Sequence, residues 1–238
     1  MKEILNDLFD YPDLKIYQYV EGFKFSLDSI LLAEYVKITS KTKHILDLCS
    51  GNASVPLILS TKTKASIDAF ELQEEISILA KKSVSYNNLE SQIQIYNADI
   101  NNIDLYKKNK KYDIITCNPP YFKTDDKNHI NETEVLAIAR HEIKINLEDI
   151  FKIAASHLDD KGEFYMVHRV TRLDEIIILG NKYNLNVKNI QLIKTKEDGK
   201  PYIVLIRCIK NSKLGVKINR EINIGNLESY QYIFKEEL

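Results

Sequence analysis

The residues Asn118-Pro119-Pro120-Tyr121 follow directly on the apolar run Tyr112-Asp113-Ile114-Ile115-Thr116-Cys117. Short β-branched runs of this kind form buried strands. Two consecutive prolines lack N–H donors and have a restricted φ, so they cannot continue a sheet and must turn the chain at the strand's end. That turn falls at the C-terminal edge, where open α/β sheets bind ligands. It offers an Asn amide and a Tyr ring to whatever sits there. A planar amine held by two acceptors and an aromatic plate suits that offer, which means a purine amino group or a carboxamide. Alone, the tetrapeptide also reads as a tight surface turn, so its surroundings decide.

Three further strand ends carry polar residues in the order a nucleoside cofactor requires. The first is Asp47-Leu48-Cys49-Ser50-Gly51-Asn52-Ala53, a strand-to-helix turn with a glycine for close backbone approach. The second is Glu71, 20 residues beyond Gly51. It stands where nucleotide-binding α/β folds place the carboxylate for ribose hydroxyls. The third is Asp99, after the run Ile93 to Tyr96, able to accept from an adenine amino group. Each acid taken singly also fits a surface charge or a helix cap; their common register with the Asn-Pro-Pro-Tyr turn favours the cofactor.

At these residues the chain resembles the class I S-adenosylmethionine-dependent methyltransferases of the N-P-P-Y amino-methylating group. Within that group it is similar to the bacterial tRNA(Val) adenine-37 N6-methyltransferase family. The resemblance runs through Phe23-Lys24-Phe25-Ser26-Leu27-Asp28, Asp47 to Asn52, Phe70-Glu71-Leu72-Gln73 and Cys117 to Thr124. It continues in Ala139-Arg140-His141-Glu142 and in Val167-His168-Arg169 with Arg172-Leu173. It implies S-adenosyl-L-methionine as cofactor, held by Phe25, Asp28, Asp47, Cys49, Gly51, Glu71, Leu72, Asp99, Ile100 and Asn118. The catalytic set it implies is Asn118, Pro119 and Tyr121, with Pro120, Phe122, Lys123, Arg140, His168 and Arg169 against the substrate. The implied partner is tRNA, entered through its single-stranded anticodon loop. The chain departs from the family's Asp-x-Gly-x-Gly-x-Gly pattern at Cys49 and Ala53. Ala53 is expected at a helix start with negative φ, where alanine fits.

The elements that must position these residues alternate strand and helix from His44 to about Cys208, which argues for βαβ units. Strands are expected at Ile45 to Leu48, Ser66 to Phe70, Ile93 to Tyr96, Tyr112 to Cys117, Glu163 to Val167, Val187 to Ile193 and Tyr202 to Ile209. The last two should form an antiparallel hairpin across Glu197-Asp198-Gly199-Lys200-Pro201. Helices are expected over Leu27 to Val36, from Val55, over Gln73 to Asn87 and Leu147 to His157, and over Thr171 to Lys182 with Thr171 as cap. The fold expected is α/β and Rossmann-like, a mostly parallel seven-stranded sheet with helices on both faces. Residues 1–43 read as an aromatic-rich flap and helix, 44–210 as the methyltransferase domain and 211–238 as an extension. The polar stretch Lys123 to Glu134 reads as a functional loop.

Composition excludes several classes. With 44% hydrophobic and 28% charged residues the chain is an ordinary globular protein. No run approaches the roughly 18 apolar residues of a membrane span, and Met1 to Asp13 has no apolar signal core, so a cytoplasmic protein is expected. Cys49, Cys117 and Cys208 are far apart and read as reduced thiols. The five histidines lack metal-ligand spacing, so no metal is expected. A net charge of −1 gives no global attraction to nucleic acid, so RNA contact must be local. A monomer or weak dimer is expected. Among the rivals that share the fold are an N5-glutamine methyltransferase acting on a protein such as a release factor, and a non-catalytic RNA-binding module. The first usually carries a large N-terminal helical domain, for which Met1 to Lys43 is too short. The second is disfavoured by the intact Asn118 and Glu71.

Overall fold

The computed structural model describes residues 2–21, 26–120, 146–196, 199–225 and 233–234. The seven expected strands are β3 (His44–Leu48), β4 (Ser66–Glu71), β5 (Ile93–Asn97), β6 (Tyr112–Cys117), β7 (Leu158–Arg169), β8 (Leu185–Lys194) and β9 (Ile203–Lys210). Two short additions, β10 (Lys217–Ile218) and β11 (Ile222–Asn223), extend the sheet to nine strands. The order is β10-β8-β9-β7-β6-β3-β4-β5, with β11 also on β8. β3 through β7 pair in parallel, whereas β9 runs antiparallel to both β7 and β8. β3 is buried along four of its five residues, as a central strand covered on both faces must be. Ile45 and Ile67 join one apolar cluster, while Leu46, Leu48, Phe70 and Ile115 join the other, so alternation divides the core between the two faces.

The helices are α1 (Leu27–Tyr35), α2 (Ser54–Lys62), α3 (Glu74–Tyr86), α4 (Asp104–Lys107), α5 (Leu147–His157) and α6 (Leu173–Lys182). α5 starts on a capping box, in which Asn146 accepts from the Asp149 N–H and Asp149 accepts from the Asn146 N–H. α6 begins two residues later than expected, and Thr171 is not its cap. The Val170 N–H is still bonded to the Tyr202 carbonyl, and a 3₁₀ turn over Val170–Arg172 intervenes before the helix can open. β7 likewise begins at Leu158, ahead of the expected Glu163. Its pairing with β6 jumps between Tyr112 and Ile114, and Lys161 takes φ +61°, so the polar residues before Glu163 are accommodated as a bulge.

The region expected to be a flap is an antiparallel hairpin, β1 (Glu3–Leu8) and β2 (Tyr11–Tyr19). Leu8 and Ile16 are fully buried, worth about 1.5–3 kcal/mol each. The free edge of β2 is covered by side chains that mimic a strand partner. Asn87 accepts from the Lys15 N–H at 3.0 Å and donates to the Lys15 carbonyl at 2.7 Å, while Ser83 accepts from the Tyr17 N–H. The turn Glu197-Asp198 lies outside the described residues. No helix of the described residues is long and apolar enough to cross a membrane.

Candidate functional site

The parallel register aligns the strand ends that carry the polar motifs. Leu48 pairs with Phe70 on one side and with Cys117 on the other, Glu71 pairs with Asn97, and Cys117 pairs with Met166. The turns after β3, β4, β5 and β6, and the end of β7, therefore open along one edge of the sheet.

The turn after β3 places Cys49, Gly51 and Ala53 at φ +59°, +57° and +71°. The expectation of a negative φ at Ala53 is wrong: it is the N-cap of α2, ahead of the first helical residue, and its carbonyl accepts the first helical bond from the Leu57 N–H. All three positions where the family pattern has glycine thus use the left-handed conformation. Two of them do so with a Cβ, at a cost of about 1–2 kcal/mol each. The turn is held from below by Glu71, which is 6% exposed. Its Oε2 accepts the Gly51 N–H at 2.9 Å and its Oε1 accepts the Gln73 N–H at 2.8 Å. Burial raises the pKa of this carboxyl, opposed by the backbone N–H bonds. The Gln73 side chain and the Leu72 N–H add to this donor shell, which keeps a carboxylate acceptor at the strand edge where ligand hydroxyls can meet it.

Asp47, 1% exposed, accepts from the Thr116 hydroxyl, while its second oxygen has no partner among the described residues. The Ser50 hydroxyl close by forms no hydrogen bond of normal geometry. Burial pushes the Asp47 carboxyl up to about 7, with the neighbouring Glu71 charge adding to the effect and Thr116 opposing it. Asp99 caps the 3₁₀ turn Ile100–Asn102 by accepting the Asn101 N–H at 2.9 Å, which leaves its other oxygen for a ligand. Leu72 is half-buried and Ile100 buried beside these acids, apolar walls for a flat ring. This combination of carboxylates, orphaned acceptor and apolar walls fits a nucleoside cofactor.

Asn118 is half-buried, with Pro119 buried and Pro120 exposed. The Asn118 Nδ2 donates to Ser29 Oγ of α1 at 2.9 Å. Asp28 stands half-buried in the first turn of α1. At the end of β7, His168 is buried and its Nδ1 accepts the Arg169 N–H at 2.8 Å. Burial and the Arg172 charge pull the imidazole down to about 4, so it is neutral at pH 7. The Arg169 guanidinium lies 5.3 Å from the Tyr202 ring centre, and Arg172 pairs with Glu175 at 2.6 Å. Phe25, Tyr121, Phe122, Lys123 and Arg140 lie outside the described residues, as does the stretch Lys123 to Glu134. Among the described residues no cluster of His, Cys, Asp and Glu could hold a metal ion.

Three residues at this edge, Asn97, Thr116 and Ser29, make contacts that were not anticipated. Asn97 Nδ2 donates to the Glu71 and Leu72 carbonyls at 3.0 Å each, clamping the turn after β4. The Thr116 hydroxyl donates to Asp47, and Ser29 Oγ accepts from the Asn118 amide. A polar residue ending a strand was the one signal for Asn97; Ser29 had none, because its partner is 89 residues away.

The profile of the family described as methyltransferase small domain matches residues 24–178. A tRNA1(Val) (adenine(37)-N6)-methyltransferase from Trichodesmium erythraeum is 28% identical over 239 residues, 96% of this chain and 93% of that protein. One of the same name from Cytophaga hutchinsonii is 25% identical over 187 residues, 78% of this chain and 76% of that protein. Among solved structures, a predicted O-methyltransferase from Agrobacterium tumefaciens superimposes with a TM-score of 0.65 at 18% identity, covering 86% of this chain and 90% of its own. A 16S rRNA N2 G1207 methyltransferase from Thermus thermophilus, in complex with AdoMet and guanosine, gives 0.58 at 16% identity, covering 88% and 50%. These two structural likenesses concern the fold.

Proposed function

The chain belongs to the methyltransferase small domain family, and from that premise we propose that it transfers a methyl group from S-adenosyl-L-methionine to N6 of an anticodon-loop adenine, adenine 37 of a valine tRNA. The observation that carries the reading is Asn118: its amide nitrogen is bonded to Ser29, so its oxygen is the atom left to accept from a substrate amine at the strand edge. The names of relatives matching nearly the full chain support the choice of adenine 37.

The cofactor supplies a methyl group on a sulfonium, already a good electrophile. The backbone around Gly51 would approach it closely, Glu71 would accept its ribose hydroxyls and Asp99 its adenine amino group, with Leu72 and Ile100 against the ring. Phe25, Asp28, Asp47 and Cys49 would complete that side. On the substrate side, the adenine N6 lone pair is delocalised into the ring and is a poor nucleophile. Acceptance of its two N–H bonds by Asn118 Oδ1 and the Pro119 carbonyl lets the nitrogen pyramidalise and localises the pair. These acceptors address charge that develops only in the transition state, where binding accelerates chemistry. Tyr121 would stack on the base for about 1–3 kcal/mol. No general base is needed before transfer; the extra proton leaves afterwards to water.

An adenine must leave its stack to reach such a site, and a single-stranded loop releases it at least cost. Pro120, Phe122, Lys123, Arg140, His168 and Arg169 would hold the neighbouring nucleotides. Purified protein, labelled S-adenosylmethionine and total tRNA from a strain lacking the gene test the reading by nucleoside mass spectrometry. N6-methyladenosine should form at position 37 of valine tRNA and fall by at least about a hundredfold in Asn118→Ala. Cofactor binding without any methylated adenosine would move the assignment to a protein glutamine or another RNA.

A further inference from the structure

We propose that Ser29 is a positioning residue for methyl transfer, holding the Asn118 amide with its oxygen toward the substrate amine. This rests on the reading of Asn118 as the acceptor for that amine. An Asn side chain has a broad, two-fold terminal torsion, so the oxygen and NH₂ ends exchange places at little intrinsic cost. The two orientations are chemically opposite. With oxygen inward, the amide accepts from a substrate N–H; with NH₂ inward, it sets donor against donor and leaves the transition-state charge unsupported.

A fixed acceptor behind the amide removes this ambiguity, and Ser29 Oγ provides one, 2.9 Å from Nδ2. Ser29 is itself 6% exposed, so water does not compete freely for that bond. Its helix is held independently of the contact. Seven of the nine residues of α1 are buried, Ser29 to Tyr35. Past its C-terminal end, the Lys37 N–H donates to the hydroxyl of the fully buried Tyr165 in β7. Lys62 of α2 donates to the Ala33 carbonyl at 2.9 Å and pairs with the buried Glu34 at 3.0 Å. Ser29 is therefore carried on a rigid support, as a group that orients another must be. Neither the sheet nor the turn through Pro119 and Pro120 supplies another partner that would hold Nδ2 among the described residues.

The test compares full-length Ser29→Ala, Ser29→Thr and Ser29→Cys with wild type, using total tRNA from the deletion strain and calorimetry with S-adenosylmethionine. Ser29→Ala should lower kcat about ten- to hundredfold, with KM for tRNA and Kd for the cofactor within about twofold. Ser29→Thr, which keeps the hydroxyl, should recover to within about threefold of wild type. Ser29→Cys, similar in size but a weak acceptor, should resemble Ser29→Ala and serves in its place if that variant does not fold. A kcat for Ser29→Ala within about twofold of wild type, a loss confined to KM, or no recovery in Ser29→Thr would overturn the role. The identity of the wild-type product tests the functional reading separately. If wild type methylates a different amine, the tRNA assignment falls while the same kcat ratios on that substrate still decide Ser29. If wild type binds the cofactor and methylates nothing, both fall.

Discussion

The Glu71 carboxylate accepts the backbone N–H of Gly51 at 2.9 Å, joining the turns after β3 and β4 through a side chain that is 6% exposed. Its other oxygen serves Gln73, so both ends of the carboxylate face donors. Glu71→Gln keeps the shape but turns one end into a donor facing an N–H. The variant should lose about 1–3 kcal/mol of stability, the cost of a mismatched buried polar group. Cofactor affinity should fall about tenfold or more through the lost charge-assisted bonds. Denaturant unfolding and calorimetry measure the two effects; unchanged affinity would remove Glu71 from the cofactor's hydroxyls.

Ala53 occupies φ +71° at the N-cap of α2 and is fully buried. Glycine there would relieve a left-handed Cβ worth about 1–2 kcal/mol, offset by a lost methyl and a freer unfolded chain. Ala53→Gly should thus be neutral to stabilising, by up to about 1 kcal/mol or roughly 2–4 °C in Tm. Ala53→Val, β-branched in the same conformation, should destabilise by more than about 2 kcal/mol. Thermal unfolding of the pair checks this, and a stable valine variant would contradict the left-handed turn.

Two buried groups give stability opposite slopes with pH. Asp47 titrates near 7 in the folded protein against 3.8 when unfolded, chiefly through burial. The folded state therefore binds more protons, and the stability it contributes below pH 3.8 is lost as pH rises toward 7. His168, pulled from 6.5 to about 4 by burial, contributes stability above 6.5 that is lost as pH falls toward 4. Between pH 4.5 and 6.5 each slope is at most about 1.4 kcal/mol per unit, and the two nearly cancel. Asp47→Asn should expose a stability that rises with pH, and His168→Gln one that falls, by denaturant unfolding at pH 4.5, 5.5 and 6.5. Lines parallel to wild type would refute both assignments.

Much of the strand edge was legible because it is encoded locally. The β-branched runs mark β3 through β6, and the acids and prolines that interrupt them mark where each strand stops. Glu71, Asp99 and Asn118 could therefore be placed at one edge from spacing alone, with the parallel order supplied by the βαβ alternation. The helix over Leu147 to His157 was legible in the same way, whereas the capping box of Asn146 and Asp149 that opens it emerged only from the structure.

What the tertiary structure decided is pairing between distant segments and the backbone conformations that such pairing imposes. No periodicity reports that Asn87 covers the edge of β2, 72 residues away, or that Ser29 holds Asn118. β10 and β11 are two residues each, held by main-chain bonds and by Gln191 donating to the Arg220 carbonyl, and main-chain bonds leave no trace in residue type. The positive φ of Ala53 was misread because alanine prefers the right-handed region; a turn constrained by Glu71, Ser50 and the start of α2 overrides that preference. Residue types along the chain specified which chemical groups reach the edge of the sheet. Only the packing of α1 and of the turn after β3 against that edge decided which way those groups face, because orientation depends on partners that sequence distance conceals.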